Sequence, residues 1–471
     1  MATIVNRGKG KSRNVVYYYK DKDTNEIRQK WETYPSYEEA KKRKAEIENA
    51  QAQGTFIVPN TQTISEFLDL YVTLYGTAKW GPSSYSSNTA LIRNYIIPII
   101  GNKSMQSITP LDIEMFYRQL RKTQPVSINN KKPKTEYLPP ATINKIHILL
   151  KCAFSKAVNW QIISKNCFLY ADVPEYETQQ RKLWTMDIIK KALDCCRDPK
   201  LYLAINISFA CSARIGEILG LTWDNVFISD EDIACDNARI RMDKQVIRVD
   251  KSALEEIEKK NKILYEFPPV LKRETRTVVV LAKPKTESSE RIVWVPRTLA
   301  FILRDWKKNQ DKLKECLGSD YYDYNLVVAL EDGRPCESKV IQKSFQRLIE
   351  KNNLPKVVFH SLRHSSATYK LKLNNGDLKA TQGDTGHSQT STLTEIYAHI
   401  LDEDRKINAQ KFERAFYAKP DLREVNVPQE RSGEAVLDDL IQEIKNKPEL
   451  HNLLIKLLDN TPENEVQEHQ N

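Results

Sequence analysis

The chain has 471 residues, of which 40% are hydrophobic and 28% are charged, as in a folded soluble protein rather than a disordered one. It contains no run of about 18 or more apolar residues, and its basic start lacks the apolar segment of a secretion signal, so we expect a cytoplasmic protein without a membrane span. The length predicts about three domains.

The formal net charge is +10, and the excess is unevenly distributed. Residues 418–471 carry six Lys and Arg against twelve Asp and Glu, a net of −6, which leaves +16 on residues 1–417. A basic body of this size suits a polyanion such as DNA, because Lys and Arg displace counterions from phosphates. The eight cysteines form no C-x-x-C pair or metal-finger spacing, which favours reduced structural thiols and no bound metal.

Residues 1–58 are predicted to form a small β-sheet closed by a helix. Short β-favouring runs alternate with turn residues, and Ser36-Tyr37-Glu38-Glu39 has the form of a capping box that opens a helix reaching about Ala52. Such a sheet could present basic and aromatic side chains to a DNA groove. An equally simple interpretation is a solvated basic terminus with its aromatic rings packed under the helix. The candidate DNA contacts are Lys9, Lys11, Arg13, Tyr17, Tyr19, Lys20, Arg28 and Lys30.

Residues 63–168 are predicted to form an all-helical domain between linkers at 53–62 and 169–182. Apolar residues recur at helical spacing in three stripes, and each stripe is most simply the buried face of a helix. The stripes are Ile64, Phe67, Leu68, Tyr71 and Leu74; Ile113, Phe116, Tyr117 and Leu120; and Ile143, Ile146, Leu149, Leu150, Ala153 and Phe154.

Residues 183–417 are predicted to form a mainly helical domain with a short β segment. The β-favouring runs 278–281 and 291–295 flank a turn that contains Lys285, which predicts a β-hairpin with a lysine near its tip. Residues 254–265 are expected to form an additional helix before this hairpin.

Residues 418–471 form an acidic tail in which apolar residues recur at helical spacing in two stretches. The stretches are 436–444 and 450–458, and each predicts a helix with one apolar face. Helices of this kind usually dock on another surface. We expect the tail to pack on its own domain or on an adjacent protomer, where it would regulate assembly.

Six residues of the 183–417 domain form a set that suits phosphodiester exchange without a metal ion or nucleotide. The transition state accumulates negative charge on non-bridging oxygens, which fixed cations and hydrogen-bond donors must then meet. Arginine and histidine supply such donors, a tyrosine can form a covalent phosphoester, and a lysine can protonate the leaving oxygen. In chain order the set is Arg214, Lys285, His360, Arg363, His387 and Tyr397.

Each of these residues also has a structural interpretation when it is taken alone. Arg214 could pair with Glu217, and Tyr397 could be a core aromatic. His360 and His364, four residues apart on a predicted helix, could form half of the zinc site of a metal-dependent nuclease, but no H-E-x-x-H pattern or Cys pair completes it. The occurrence of the whole set in this order favours the catalytic interpretation.

The ordered set resembles the tyrosine recombinase family, and within it the integrases of phages and of conjugative transposons of Gram-positive bacteria. ARIGEILGLTWDNV resembles the first arginine box, PKTESSERIVWVP the hairpin segment, HSLRHSSAT the H-x-L-R-H box and GHSQTSTLTEIYAHI the closing box. Segments upstream resemble a helical core-binding domain and a three-stranded arm-site-binding domain. The resemblance implies a multidomain fold: a small β-sheet plus helix, an all-α core-binding domain and a mainly α catalytic domain with a small β-sheet.

The resemblance also implies a role for each matching residue. Tyr397 would be the nucleophile that forms a 3′-phosphotyrosyl link, and Lys285, with Lys283 as its nearest rival, would protonate the leaving oxygen. Glu217 would support the first catalytic arginine. The residues expected to stabilise the transition state are Arg214, His360, Arg363 and His387. No metal or nucleotide cofactor is implied.

The implied partner is double-stranded DNA with core and arm attachment sites, bound by four protomers in a synaptic complex that passes through a four-way junction. The enzyme would integrate and excise a mobile element in the bacterial nucleoid, with an excisionase or a DNA-bending host protein as a further partner. The alternative is a catalytically inactive DNA-binding regulator on the same fold. The chain departs from the family pattern at Cys167, at Thr385 and in the long segment 227–282.

Overall fold

The computed structural model describes residues 2–6, 13–20, 26–54, 56–59, 61–127, 133, 135–175, 182–258, 262–269, 275–284, 289–374 and 377–386. All of these residues lie within one compact unit of the chain. The acidic tail, 418–471, lies outside the described residues. Among the helices of the described residues, none combines the length and apolarity needed to cross a membrane.

The first elements form a three-stranded antiparallel sheet with one helix against it. They are β1 (Ala2–Val5), β2 (Arg13–Lys20), β3 (Ile27–Tyr34) and α1 (Tyr37–Ala52), with β2 in the centre of the sheet. Ser36 caps α1 by accepting a hydrogen bond from the backbone N–H of Glu39, as the sequence predicts. Ala40 and Ile47 of α1 pack on one face of the sheet. The predicted sheet and helix are confirmed.

A second group of elements is helical throughout. It contains α2 (Ile64–Tyr71), α3 (Thr77–Lys79), α4 (Pro82–Leu91), α5 (Ile97–Ile100), α6 (Pro110–Leu120) and α7 (Pro140–Asn159), with π-helical turns at Val72–Gly76 and Ile92–Ile96. The predicted apolar stripes form its core, with the exception of Leu74, which is 57% exposed. The expectation for Leu74 is wrong because Leu74 lies within the π-helical turn Val72–Gly76, which breaks the α-helical spacing, and the next residue, Tyr75, packs against the core instead.

The remaining described elements form a mainly helical region with small sheets. They are α8 (Met186–Cys195), α9 (Pro199–Ala210), α10 (Ile215–Leu219), β4 (Val226–Phe227), α11 (Asp230–Ala234), β5 (Arg239–Met242), β6 (Gln245–Asp250), α12 (Lys251–Glu256), β7 (Ile263–Glu266), β8 (Thr277–Ala282), β9 (Arg291–Trp294), α13 (Arg297–Leu317), α14 (Ser338–Lys351), α15 (Ser361–Leu373) and α16 (Leu378–Thr385). Helix α9 lies in the centre of this region and contacts α10, α13, α14 and α15. The predicted fold class is therefore confirmed.

Strands β8 and β9 belong to different sheets, so the predicted hairpin between them is wrong. One sheet has the order β4-β5-β9 and the other β6-β8-β7. Both edges of β8 are occupied by other strands, and β9 pairs with β5 instead. The apolar faces explain this separation, because Val280 of β8 belongs to a small local core whereas Val293 of β9 belongs to the main core.

The predicted helix over 254–265 is also wrong. Helix α12 ends at Glu256, where Ile257 takes an extended conformation, and Ile263–Glu266 pairs with β8 as strand β7. This inserted sheet meets the helical group, since Tyr85 of α4 packs against its small core. The backbone N–H of Glu258 also donates to the carbonyl of Thr77 at 3.1 Å.

Candidate active site

Of the predicted catalytic set, the structure describes Arg214, His360 and Arg363, and it also describes the supporting Glu217. Arg214, Glu217 and Arg363 come together at the end of α16. Lys285, His387 and Tyr397 lie outside the described residues, so their predicted roles stay predictions. Lys283, the rival of Lys285, directly follows β8, and its backbone N–H donates to the carbonyl of Lys262 at 2.8 Å.

Arg214 stands at the start of the short helix α10, where Glu217 fixes its position. The carboxylate of Glu217 accepts from the Arg214 backbone N–H at 3.0 Å and from its guanidinium Nη1 at 2.7 Å. Glu217 is 4% exposed, whereas 37% of the Arg214 side chain is exposed. The predicted pairing therefore exists, and it leaves part of the Arg214 side chain accessible.

Arg363 lies on the first turn of α15 and is fully buried. Its Nη1 donates to the carbonyl of Ser212, and its Nη2 donates to the carbonyl of Thr385 at 2.5 Å. Ser212 has a positive φ of 49° and shares a 2.6 Å hydrogen bond with Ser366 of α15. Burial and the neighbouring Arg214 lower the pKa of the Arg363 guanidinium, because both oppose its positive charge.

The sequence analysis missed Arg291, which stands at the start of β9 and is 6% exposed. Its Nη2 donates to Glu217 at 3.0 Å, so Glu217 lies between two arginines. Burial works to raise the pKa of Glu217, but Arg291 and Arg214 more than offset it and hold the pKa below its ordinary value. No signal in this single sequence separates Arg291 from Arg239 and Arg241 on the neighbouring strand.

The three arginines converge on consecutive backbone carbonyls at the end of α16. Arg291 Nε donates to the carbonyl of residue 384 at 2.9 Å, Arg363 to that of residue 385, and Arg214 Nη2 to that of residue 386 at 3.4 Å. The last carbonyls of a helix lack partners within the helix and carry partial negative charge, so cations stabilise this end. His387 is the next residue of the chain.

His360 precedes α15 and is exposed, whereas His364 is buried one turn later. Their rings meet edge to face with centroids 4.8 Å apart. Among the described residues, no group of three His, Cys, Asp or Glu side chains could hold a metal ion. The zinc interpretation of His360 and His364 therefore has no third ligand in the described part of the chain.

The N-terminal candidates for DNA contact include one residue that belongs to the core. Tyr17 is 1% exposed and packs under α1, and its hydroxyl donates to Glu32 at 2.6 Å. The prediction that Tyr17 contacts DNA is therefore wrong, because its side chain is inaccessible. Lys9 and Lys11 lie outside the described residues.

The other N-terminal candidates divide between the two faces of the sheet. Neighbouring residues of a strand point to opposite faces, and the register places Lys20 opposite α1. The candidates on the face that α1 covers are Arg13, Tyr19, Arg28 and Lys30. The face opposite α1 exposes Tyr18 and Trp31, by 56% and 39%. Both belong to the aromatic residues that the sequence interleaves with basic ones in this sheet, but the sequence alone does not tell which of these aromatics face α1.

Two family models match the chain. The phage integrase N-terminal SAM-like domain matches residues 63–121, and the phage integrase family matches residues 270–404. The second match includes the candidate residues from Lys285 to Tyr397.

Several curated proteins are similar to most of this chain. A XerC-like tyrosine recombinase of Caldanaerobacter subterraneus is 25% identical over 382 residues, which cover 79% of this chain and 88% of that protein. The ICEBs1 integrase of Bacillus subtilis is 22% identical over 336 residues, which cover 70% and 78%.

Among solved structures, the chain is similar to the Tn1549 transposon integrase in complex with transposon right end DNA. The two are 20% identical, the match covers 75% of this chain and 99% of that one, and the TM-score is 0.56. At this identity the likeness shows the fold.

Proposed function

We propose that this chain is a tyrosine recombinase of mobile elements, which recombines DNA at specific sites through a covalent bond between Tyr397 and a backbone phosphate. Its substrate is double-stranded DNA that carries the attachment sites of a mobile element, which it integrates and excises. The observation that carries this proposal is the position of Arg214 and Arg363. Both donate to the end of α16, directly before the segment that contains His387 and Tyr397.

The reaction exchanges one phosphoester for another of similar energy. The phenolic oxygen of Tyr397 loses its proton and attacks the phosphorus while the bond to the 5′ oxygen breaks, which leaves a 3′-phosphotyrosyl link. The departing oxygen takes a proton from Lys285, with Lys283 as the alternative donor. The free 5′ hydroxyl of one duplex then attacks the phosphotyrosine of the partner duplex and releases Tyr397. Neither ATP nor a metal ion takes part in these steps.

Fixed donors meet the negative charge that develops on the non-bridging phosphate oxygens. Burial and Arg214 lower the pKa of Arg363, so a phosphate that binds beside both arginines offsets the repulsion between them. Arg214 is the more accessible of the two. His360, at the start of α15, and His387 add further hydrogen-bond donors.

Four protomers hold two duplexes together and pass them through a four-way junction in this proposal. The helical group, predicted as 63–168, clamps the core site opposite the catalytic region, predicted as 183–417. The N-terminal sheet binds the arm site through the face that carries Lys20, Tyr18 and Trp31. An excisionase or a DNA-bending host protein sets the direction of the reaction.

Covalent trapping tests the proposal. The probes are labelled, nicked duplexes that tile the DNA on both sides of the gene, and each is incubated with the full chain in EDTA. We expect a denaturant-resistant protein–DNA adduct with the wild type and none with Tyr397→Phe, although both proteins bind the same duplex. Binding by both should weaken as the salt concentration rises, because phosphate contacts release counterions.

Each other outcome contradicts the proposal in a distinct way. Binding without an adduct by the wild type indicates the inactive regulator. Cleavage that appears only without EDTA indicates a metal-dependent nuclease. An adduct that Tyr397→Phe forms as well as the wild type does would show that another residue is the nucleophile.

A further inference from the structure

We propose that Arg291 is a positioning residue for the recombination reaction. It holds Glu217, and it holds two backbone segments that lie beside catalytic residues in the sequence. This inference rests on the proposed function and deepens it. Arg291 lies on the start of β9, yet its guanidinium contacts α10, α16 and the segment before its own strand. A single side chain therefore connects the parts of the chain that carry different members of the catalytic set.

The guanidinium of Arg291 has protein acceptors on all three of its nitrogens. Nε donates to the carbonyl of Asp384 at 2.9 Å, Nη1 to that of Ser289 at 3.1 Å, and Nη2 to Glu217 at 3.0 Å. Because each of these nitrogens already has a protein acceptor, Arg291 is poorly placed to bind a DNA phosphate. Its effect on the reaction must therefore pass through the groups that it holds.

Glu217 is the first of these groups. Its Oε1 accepts from the guanidinium of Arg214, and its Oε2 accepts from both the Arg214 backbone and Arg291. Without Arg291, Arg214 alone remains of the two arginines that donate hydrogen bonds to the buried carboxylate. A carboxylate that shifts or takes up a proton no longer holds the Arg214 guanidinium in place.

The two backbone segments lie beside Lys285 and His387 in the sequence. Ser289 is four residues after Lys285, and Asp384 is three residues before His387. Lys370 of α15 holds the side chain of Asp384 at 2.6 Å, so Asp384 is fixed through both its carboxylate and its carbonyl. Loss of Arg291 should loosen both segments, and small displacements of reacting groups are costly in rate.

The test compares Arg291→Gln and Arg291→Lys with Arg239→Gln in the full-length protein. Arg239 is the matched control, since it lies on β5 of the same sheet and pairs with Asp232 at 3.0 Å, away from Glu217. The substrate is the nicked duplex that gives the adduct with the wild type. Adduct formation is measured in single turnover, together with DNA affinity and melting temperature.

We expect Arg291→Gln to form the adduct about 100-fold more slowly, a loss typical of misplaced catalytic groups, with unchanged DNA affinity. Arg291→Lys should be intermediate, because an ammonium lacks the planar fork that serves several acceptors. Arg239→Gln should react at the wild-type rate. The rate of Arg291→Gln should also fall more steeply than that of the wild type below neutral pH, because Glu217 is protonated more easily without Arg291.

A wild-type rate in Arg291→Gln would overturn the inference, as would equal losses of rate and melting temperature in Arg291→Gln and Arg239→Gln. If Arg291→Gln does not fold, Arg291→Lys decides: a slower reaction at an unchanged melting temperature supports the inference, and an unchanged rate overturns it. The wild-type adduct and its loss in Tyr397→Phe report on the proposed function separately.

Discussion

Replacement of Glu217 by Gln removes a buried negative charge that two arginines share. The carboxylate accepts hydrogen bonds from the Arg214 backbone and side chain and from Arg291, at 3.0, 2.7 and 3.0 Å. Removal of one partner from a buried ion pair costs about 3–5 kcal/mol, because the other charge stays buried without compensation. Glutamine keeps the volume and one acceptor oxygen, so we expect a loss of about 3 kcal/mol, at the lower end of this range.

Thermal unfolding measures this loss. Tryptophan fluorescence monitors the unfolding, because Trp184 is buried in the folded protein. The Tm of Glu217→Gln should fall by about 6–12 °C, because 1 kcal/mol corresponds to about 2–4 °C in a domain of this size. Glu337→Gln is the matched control, since Glu337 pairs with Arg248 at 2.6 Å but is 33% exposed. It should lose at most about 1 kcal/mol. Equal shifts in the two variants would refute this reasoning.

The contribution of Glu217 to stability has a defined pH dependence. Its pKa is held below the ordinary value, so its stabilising effect is present above the ordinary Glu pKa of about 4.3 and is lost as the pH falls through the folded-state value. The Tm difference between the wild type and Glu217→Gln should therefore be full at neutral pH and shrink below about pH 4. A difference that disappears between pH 7 and pH 6 would contradict the assigned pKa direction.

Two further predictions concern the helical group and the N-terminal sheet. Leu150→Ala should lower the free energy of unfolding by about 2–5 kcal/mol, whereas Leu74→Ala should change it by about 0.5 kcal/mol or less, because only Leu150 is buried. Urea titrations measure both changes, and similar losses in the two variants would contradict the position of Leu74 outside the core. Trp31→Ala should weaken binding to the arm-site duplex about tenfold, or about 1.4 kcal/mol, at an unchanged melting temperature. Tyr37→Ala, on α1, is the gel-shift control, and an equal loss in both variants would contradict a DNA-binding role for the face opposite α1.

Local patterns predicted the helices of the chain better than the pairing of its strands. A helix buries one apolar stripe whatever it packs against, so the stripe from Ile143 to Phe154 identified α7 directly. The partner of a strand depends on which core receives its apolar side chains. Val280 and Val293 have the same chemistry but belong to different cores, and nothing in the sequence around them distinguishes the two.

The candidate site shows the same contrast between local and long-range contacts. Glu217 stands three residues after Arg214 at the start of the same helix, so their pairing was predictable from spacing. Arg291 is 74 residues from Glu217, and it reaches the site only because β9 pairs with β5 rather than with β8. The error about the hairpin and the omission of Arg291 therefore have one cause, since a hairpin would have left β9 in the other sheet.

The arginines around residues 384–386 separate two tasks in the proposed reaction. Arg291 is buried and has a protein acceptor on each of its nitrogens, whereas Arg214 is hydrogen-bonded to Glu217 and Gly386 and remains partly exposed. A guanidinium has five N–H groups, so Arg214 can donate to a phosphate without giving up either partner. Donors that are fixed before charge develops need no reorganisation in the transition state, which is where they contribute most. The rate of attack on the phosphate, rather than the affinity for DNA, is therefore the quantity that should depend on these supporting contacts.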